Sequence, residues 1–210
     1  MELDPESLPV RERYALMIST ILPRPIAWVS TISPEGITNL APFSFFTGIT
    51  ANPMSVCFAP VNDRTGKRKD TLVNAEKTKQ FVVNIANEDN AEKMNETSAA
   101  WPYGVSEFEK AGLTPLPSLK VKPPRVKESP IQMECELIQI VTLSEGPLGG
   151  HLVIGKVVHF HCDDKIWNGG KLKHQDVKAI GRMEGIWYSR TRDAFELPRP
   201  EIETTMGEKP

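Results

Sequence analysis

The order of apolar and polar positions along the chain predicts a protein built mostly from short strands. Segments rich in β-branched and aromatic residues, bounded by Pro, Gly or polar turns, are typical of strands. They cover Pro25–Ile32, Ile37–Thr50, Met54–Pro60, Phe81–Ile85, Ile131–Leu143 and His151–Cys162. The sequence Ser33-Pro34-Glu35-Gly36 between the first two predicts a tight turn, so these two strands are expected to form a hairpin.

Helical spacing is confined to a few segments. Tyr14, Ala15, Ile18 and Leu22 form an apolar stripe that predicts a helix over Arg11–Leu22. A short helix is expected over Asp70–Thr78 with Asp70 as its N-cap, and the polar segment 87–112 predicts one or two surface helices ending near Gly112. The Pro-laden segment Leu113–Pro130 predicts an extended, ordered connector. This pattern favours a mainly β fold with peripheral helices, arranged as an antiparallel barrel.

Composition limits the functional classes. A chain of 210 residues with 40% hydrophobic content can bury one sizeable core, so a single domain is expected. A formal charge of -2 gives no broad positive field, which argues against an extended nucleic-acid surface. No apolar run approaches the roughly 20 residues of a membrane helix, and the polar, acidic N-terminus lacks the features of a signal peptide. We therefore expect a cytoplasmic protein without membrane contact.

Three cysteines lie far apart along the chain, within predicted strands. Cys57, Cys135 and Cys162 form no CxxC pair, and their number is odd. Free cysteines are among the most buried residue types, so we interpret them as small core residues and expect no disulfide framework.

Several segments together resemble a known family. They are Arg24–Thr31, Asn39–Phe46, Lys69–Thr71 followed by Phe81–Asn84, Gly155–Val158, and Gly181-Arg182 with Tyr188. In this order they resemble the flavin reductase-like family, whose members form an FMN-binding split barrel. The resemblance covers most of the chain. It implies an antiparallel split β-barrel domain over residues 1–195 and a C-terminal tail over 196–210.

The resemblance makes the Asn39–Phe46 segment the predicted site of the flavin ring. Such a ring needs a flat apolar surface and main-chain donors at its polar edge. Small Ala41 and Ser44 allow close approach to the backbone, Pro42 interrupts the regular ladder, and Phe43 can face the core or the cofactor. From this segment alone, a core strand with a bulge remains an equal alternative.

The phosphate of FMN is expected at the loop Asn62–Lys69 and the helix start that follows. Four cations and a Gly in eight residues, next to the unpaired N–H groups of a helix start, favour anion binding. By resemblance, Ser30 and Thr31 also lie near the cofactor. The predicted FMN-binding residues are Ser30, Thr31, Asn39, Ala41, Pro42, Phe43, Ser44, Asn62, Arg64, Lys69, Asp70 and Thr71.

Other residues with possible chemistry keep open roles. His151 follows a Gly-Gly turn and is either at the flavin edge or at a strand end. Arg182 and Tyr188 complete the pocket, form a subunit contact or simply pack. Trp101-Pro102-Tyr103 forms a lid over the ring or anchors a loop.

No metal site is expected. His159 and His161 share one face of a strand, but Cys162 points the other way and no third ligand has suitable spacing. We also identify no catalytic triad or carboxylate pair, and no GxGxxG sequence follows a strand.

The resemblance implies electron transfer through FMN and a homodimer. The leading hypothesis is an NAD(P)H-dependent flavin reductase-like oxidoreductase with small-molecule electron donor and acceptor. Hydride transfer to a flavin requires stacking and orientation, which explains the lack of an acid–base pair. The alternatives are a flavoredoxin-like carrier, whose tightly bound FMN is reduced by a protein partner, and a cofactor-free oligomer or binder of another small molecule.

Overall fold

The computed structural model describes residues 1–200, in which strand residues outnumber helical ones. After a single 3-10 turn at Pro5–Ser7, the helices are α1 (Val10–Thr20), α2 (Asp70–Thr78), α3 (Ala91–Glu96), α4 (Glu107–Lys110) and α5 (His174–Val177). The strands are β1 (Arg24–Pro25), β2 (Ala27–Ile32), β3 (Thr38–Phe43), β4 (Phe46–Ala51), β5 (Met54–Phe58), β6 (Gln80–Ile85), β7 (Pro115–Leu116), β8 (Arg125–Val126), β9 (Ile131–Thr142), β10 (His151–Cys162), β11 (Ile180–Arg182) and β12 (Tyr188–Arg190).

The main sheet has seven antiparallel strands in the order β3-β2-β6-β9-β10-β5-β4. Its two edge strands, β3 and β4, follow each other in the chain and are joined only by Ser44 and Phe45. A two-residue connection can join opposite edges only if the sheet curls until the edges approach each other. The amide of Ala59 next to β5 donates to the carbonyl of Phe45 at 2.8 Å. The sheet is therefore a barrel left open between β3 and β4, which confirms the mainly β, antiparallel split-barrel fold.

The prediction of one continuous strand over Ile37–Thr50 is wrong. The chain leaves the sheet at Ser44 and re-enters it at the opposite edge, so the segment forms β3 and β4. Both halves keep the composition of a strand, and Pro42 is accommodated because β3 is an edge strand that needs no further donor there. The predicted hairpin is confirmed, since β2 pairs with β3 across a turn closed by Gly36 at a φ of 90°.

Two hydrophobic clusters lie on the two faces of β2. Ala27 and Val29 point into the barrel with Phe58 and Phe81, whereas Trp28 points to the outer face. There it packs in a second cluster with Leu40 of β3, Met94 of α3 and Phe108 of α4. The first face fills the barrel, and the second fixes α3 and α4 against β2 and β3. The predicted surface helices of segment 87–112 are thus partly core elements.

A glycine makes room for an aromatic ring inside the barrel. A Cβ at Gly155 of β10 would lie 2.3 Å from Cζ of Phe81. This position coincides with an irregularity in the pairing of β9 and β10. Cys135 is fully buried nearby, and all three cysteines are free thiols.

The connector over residues 113–130 is held by one buried carboxylate. Glu134 of β9 accepts hydrogen bonds from the amides of Leu119, Lys120 and Val121 at 2.8, 2.6 and 3.2 Å. His161 approaches the same carboxylate at 2.6 Å. Burial raises the pKa of Glu134, but these hydrogen bonds outweigh it and lower the pKa overall. The extended connector is confirmed, and it contains the short pair β7–β8.

Helix α1 is confirmed, but its apolar stripe is not buried. Tyr14, Ala15 and Leu22 are exposed, and Ile18 is only half-buried. No helix within residues 1–200 is long and apolar enough to cross a membrane. The part of the tail over 201–210 lies outside the described residues.

Candidate functional site: a cleft at the open side of the barrel

Three adjoining cavities meet at Pro42, at the end of β3. The loop cavity, about 190 Å³, lies between β3, the basic loop (residues 62–69), the start of α2 and the segment 97–101. The mouth cavity, about 540 Å³, lies between residues 42–45, Tyr14 and the other side of the basic loop. The arginine cavity, about 230 Å³, lies between Pro42, Ser44, α3 and the β11–β12 hairpin. Together they form one cleft at the split of the barrel.

The wall of this cleft is an edge strand with unpaired main-chain groups. β3 pairs with β2 on one side only, so main-chain groups on its other side have no strand partner. One of them, the amide of Leu40, donates to Oε2 of Glu107 at 2.8 Å. Ala41 and Pro42 are half-exposed beside it and present little bulk. A flat ring can therefore approach the backbone here.

The basic loop is held in shape by Asp63. Its Oδ1 accepts hydrogen bonds from the amide and hydroxyl of Thr65, both at 2.7 Å, and from the amide of Lys67 at 2.9 Å. The Thr65 hydroxyl, with these amides, lowers the pKa of Asp63. Gly66 takes a φ of 90° to close the turn. Lys67, Arg68 and Lys69 follow directly and line the loop cavity.

Helix α2 begins at this cavity without a side-chain cap. The prediction of Asp70 as its N-cap is wrong: Asp70 is the first helical residue, and Lys69 is the N-cap residue, whose side chain makes no capping hydrogen bond. Unsatisfied N–H groups and the positive end of the helix dipole therefore lie beside the three cations. Within the described residues, Nε of Arg68 is a buried polar atom without a hydrogen-bond partner, while its Nη2 contacts Glu76 at 2.9 Å. This donor set fits a phosphate group.

A buried network links the strand wall to α2. Nδ2 of Asn39 donates to Oγ1 of Thr71 at 2.8 Å and to Oγ1 of Thr31 at 3.2 Å. Asn74 also donates to Thr31, at 3.2 Å. Thr31 therefore positions Asn39 and Asn74 from behind the cleft. Ser30 points the other way, where it donates to the carbonyl of Pro124 at 2.5 Å.

The structure thus brings most of the predicted site residues to one place. The residues that line the cleft are Asn39, Ala41, Pro42, Phe43, Ser44, Asn62, Arg64, Lys69, Asp70 and Thr71. Ser30 and Thr31 do not line it, and their hydroxyls are engaged in the bonds described above. Contact of any of these twelve residues with FMN stays a prediction.

Asn62 and His151 fasten the basic loop to the loop that joins β9 and β10. Nδ2 of Asn62 donates to the carbonyl of Glu145 at 3.1 Å, so its Oδ1 must accept from Nε2 of His151 at 3.2 Å. Nδ1 of His151 contacts the Thr142 hydroxyl at 3.1 Å. Burial lowers the pKa of His151, and Arg68 lowers it further. His151 lines none of the three cavities and acts as a buried support.

Arg24 is a buried support at the other end of the cleft. Its guanidinium donates to Oγ of Ser44 at 3.2 Å, to the carbonyls of Ile18 in α1 and Ile21 just after it, and to the carbonyl of Met183 at 2.9 Å. Burial lowers the pKa of Arg24. One side chain therefore joins the end of α1, the β3–β4 connection and the segment after β11. The sequence pattern gave no signal for this role.

Glu107 was missed by the sequence analysis. It lines the loop cavity and holds the edge of β3 through the amide of Leu40. Burial raises the pKa of Glu107, the Leu40 amide offsets part of this, and the Asp70 carboxylate adds to it. Trp101 lines the same cavity, with the ammonium of Lys110 5.4 Å from its ring centroid. The neighbouring segment 97–100 also lines it, although its sequence carries no recognisable motif.

The histidine pair of β10 faces the connector and lies outside this cleft. The rings of His159 and His161 share one face, with centroids 4.6 Å apart. His161 is committed to Glu134. Within residues 1–200, no group of three or more His, Cys, Asp or Glu is close enough to hold a metal ion.

Comparison with known proteins identifies the family. Residues 18–176 match the model of the flavin reductase-like domain, so the chain belongs to this family. An uncharacterized protein of Halalkalibacterium halodurans is 37% identical over 96% of this chain and 98% of its own length. Its similarity covers nearly the whole of both chains.

Two solved structures are similar to this chain in both sequence and fold. Nitrilotriacetate monooxygenase component B from Bacillus cereus is 36% identical, with a TM-score of 0.89 over 94% of this chain and 98% of its own. The 2-nitrobenzoate 2-nitroreductase NbaA of Pseudomonas fluorescens is 30% identical, with a TM-score of 0.85 over 99% and 100%. The chain is therefore a flavin-related oxidoreductase of the split-barrel type.

Proposed function

We propose that the cleft binds FMN and that the protein passes electrons from NAD(P)H through the flavin to a small-molecule acceptor. The observation that carries the proposal is the joint placement of the unpaired edge of β3 and the uncapped start of α2 at the loop cavity. The edge of β3 suits the ring of a ligand, and the start of α2 suits the phosphate of the same ligand. Membership of the flavin reductase-like family supports this choice of ligand.

The phosphate end of the proposed site is the basic loop and α2. Lys69, Thr71 and the first amides of α2 would hold the phosphate, with Asn62 and Arg64 on the other side of the loop. The hydroxyl oxygen of Thr71 accepts from Asn39, which leaves the hydroxyl proton to donate to an anion.

The ring end of the proposed site is the end of β3. Ala41, Pro42, Phe43 and Ser44 would contact the ring, and main-chain groups of β3 would meet its polar edge. Bound flavin supplies two-electron chemistry with a nicotinamide donor, and the chain's role is to orient the reactants and exclude water.

Residues 1–195 are proposed to act as one FMN-binding domain, followed by the tail 196–210. We further propose a cytoplasmic homodimer. Exposed apolar side chains on α1, such as Val10, Leu16 and Met17, support the dimer, since they have no cover within residues 1–200.

Titration with FMN and replacement of Ser44 test the proposed site. The wild-type protein should quench flavin fluorescence with saturation, and Ser44→Leu should weaken the affinity at least tenfold by blocking close approach to the backbone. Ser7→Leu is the matched control, because Ser7 is exposed in the 3-10 turn at Pro5–Ser7 and lines none of the three cavities, and it should bind FMN within about threefold of wild type. Equal affinity of Ser44→Leu and wild type would contradict the placement of the ring.

Anaerobic stopped-flow mixing with NADH or NADPH then tests the electron donor. Loss of flavin absorbance within the mixing experiment is the expected result. An FMN-bound protein that neither nicotinamide reduces would support the carrier alternative, and a protein that fails to bind FMN would overturn the proposal as a whole.

A further inference from the structure

The arginine cavity combines a cation with apolar walls. Arg182 and Tyr188 of the β11–β12 hairpin form one side, and Asn95 and Ser98 form another. Tyr14 and Pro42 supply accessible apolar surface, with the buried side chains of Met94 and Ile26 beneath, and the cavity measures about 230 Å³. It opens beside Pro42 and Ser44, where the proposed flavin ring would lie.

Arg182, which lines this cavity, lies opposite a second arginine, Arg24, which is buried behind the cavity wall. Arg24 of β1 pairs with Arg182 of β11 in the antiparallel register, which places both side chains on one face. Like charges in such a pair repel each other, and Arg182 lowers the pKa of Arg24 beyond the effect of burial. Arg24 is satisfied by carbonyls and a hydroxyl, which leave its charge uncompensated.

No carboxylate neutralises this pair within residues 1–200. The ion pairs found there involve other residues, and neither arginine takes part. Glu184 acts on Arg24 only at a distance and is exposed. Arg182 lines the cavity and Arg24 lies behind its wall. An anion bound in the cavity would therefore reduce the electrostatic repulsion between the two guanidinium groups.

The guanidinium of Arg182 is held in a defined orientation. Its Cζ lies 4.6 Å from the ring centroid of Tyr188, and its Nη2 donates to the carbonyl of Gly185. The Tyr188 hydroxyl donates to Oδ1 of Asn95 at 3.2 Å, which fixes the ring in turn. A stacked, fixed guanidinium suits bidentate recognition of a planar carboxylate.

We propose that the arginine cavity binds the carboxylate of a small aromatic acid, with Arg182 as the carboxylate-binding residue. Tyr14 and Pro42 contact the aromatic body, and the shared residues Pro42 and Ser44 place this body next to the flavin. No electron-transfer step is assigned to the acid. Its position next to the flavin rests on the proposed function, whereas its binding to Arg182 does not. Arg24 supports the wall of the cavity through its hydrogen bond to Ser44.

Binding of 4-fluorobenzoate, followed by fluorine NMR, tests the proposal. The wild-type protein should show saturable line broadening with 4-fluorobenzoate, and the uncharged 4-fluorobenzamide should bind at least tenfold more weakly. Arg182→Gln should weaken 4-fluorobenzoate binding about 10- to 100-fold, the equivalent of one charge-assisted contact. Arg190→Gln is the matched control, because Arg190 is an exposed arginine of the same hairpin that pairs with Glu88, and binding should be unchanged.

A second measurement uses the unaltered protein. In wild type labelled with 15N-arginine, the Nε–H signal of Arg182, assigned by its loss in Arg182→Gln, should shift with the same half-saturation as the fluorine signal. If Arg182→Gln does not fold, assignment through Arg182→Lys serves the same purpose. A signal that does not shift would overturn the proposal.

Competition identifies the source of any anion effect. Each titration is repeated with saturating FMN and with inorganic pyrophosphate, and neither should displace 4-fluorobenzoate. Displacement by FMN would assign the cavity to the flavin, and displacement by pyrophosphate would assign it to a phosphate group. Either result would overturn the proposal, as would equal binding of the benzamide or of Arg182→Gln. FMN affinity is measured separately by flavin fluorescence, so failure of the proposed function is recognised independently.

Discussion

The two ends of the cleft are built in different ways. The basic loop and the start of α2 come from one continuous segment, residues 62–71, shaped mainly by Asp63 within that segment. The arginine cavity draws on β1, β3, α3, β11 and β12, and its key support, Arg24, bonds to residues up to 159 positions away. A site formed by residues close in sequence gives a recognisable sequence motif, whereas a site formed by residues distant in sequence does not.

Among the predicted effects, replacing Arg24 should have the largest, because it removes the main support of the arginine cavity. Arg24→Met removes hydrogen bonds to α1, Ser44 and Met183 and leaves partly buried carbonyls without donors. We expect a loss of about 3 kcal/mol in the free energy of unfolding, measured by urea denaturation. Arg190→Met, an exposed arginine nearby, should change it by less than about 0.5 kcal/mol. Similar midpoints for both variants would show that Arg24 is not the support described here.

Replacing Thr71 should weaken phosphate binding at the local end. Because Asn39 also loses a hydrogen-bond acceptor, the free energy of unfolding should fall by about 1 kcal/mol without preventing folding. Thr71→Val keeps the shape of the side chain and removes the hydroxyl that would face the phosphate. FMN affinity should fall about tenfold, while riboflavin, which lacks the phosphate, should bind as it does to wild type. Thr78→Val, in the last turn of α2, is the control. An equal loss for FMN and riboflavin would place the phosphate elsewhere.

Asp63 offers a sharper test of loop preorganisation. Asp63→Asn and Asp63→Ala both remove the negative charge, but only the amide keeps an oxygen that accepts from Thr65 and Lys67. FMN should bind about threefold to tenfold more weakly to Asp63→Ala than to Asp63→Asn, because the loop must be ordered on binding. Fluorescence titration of both variants measures the difference. Identical affinities would mean that the turn does not shape the phosphate site.

The smallest expected effect is a pH dependence of stability from His151. Its pKa in the folded protein lies below the usual 6.5, so the unfolded chain takes up a proton first as the pH falls. Stability from the neutral ring is complete above about pH 6.5 and declines as the pH falls toward the lowered pKa. Urea midpoints measured from pH 7.5 to pH 5 should decline less steeply for His151→Gln than for wild type. Parallel curves would show that His151 does not contribute.

The sequence predicted what depends on neighbours along the chain. The strand positions, the hairpin of β2 and β3, α2 and the basic loop follow from periodicity, turn residues and local charge. The break of the Ile37–Thr50 segment does not, because both halves have the composition of a strand and only sheet closure separates them. Glu107 and Arg24 are likewise defined by partners distant in sequence. For the cleft, the family resemblance supplied the order of segments that composition alone could not.

The open side of the barrel, which forms the proposed binding site, is also a possible site of aggregation. An unpaired strand edge is a template for the pairing of a second chain. Pro42, which has no N–H to offer, and the Glu107 carboxylate, which covers the amide of Leu40, together interrupt the row of groups that a foreign strand would need. Ligand recognition and protection from aggregation are therefore opposing demands on the same few peptide units of β3.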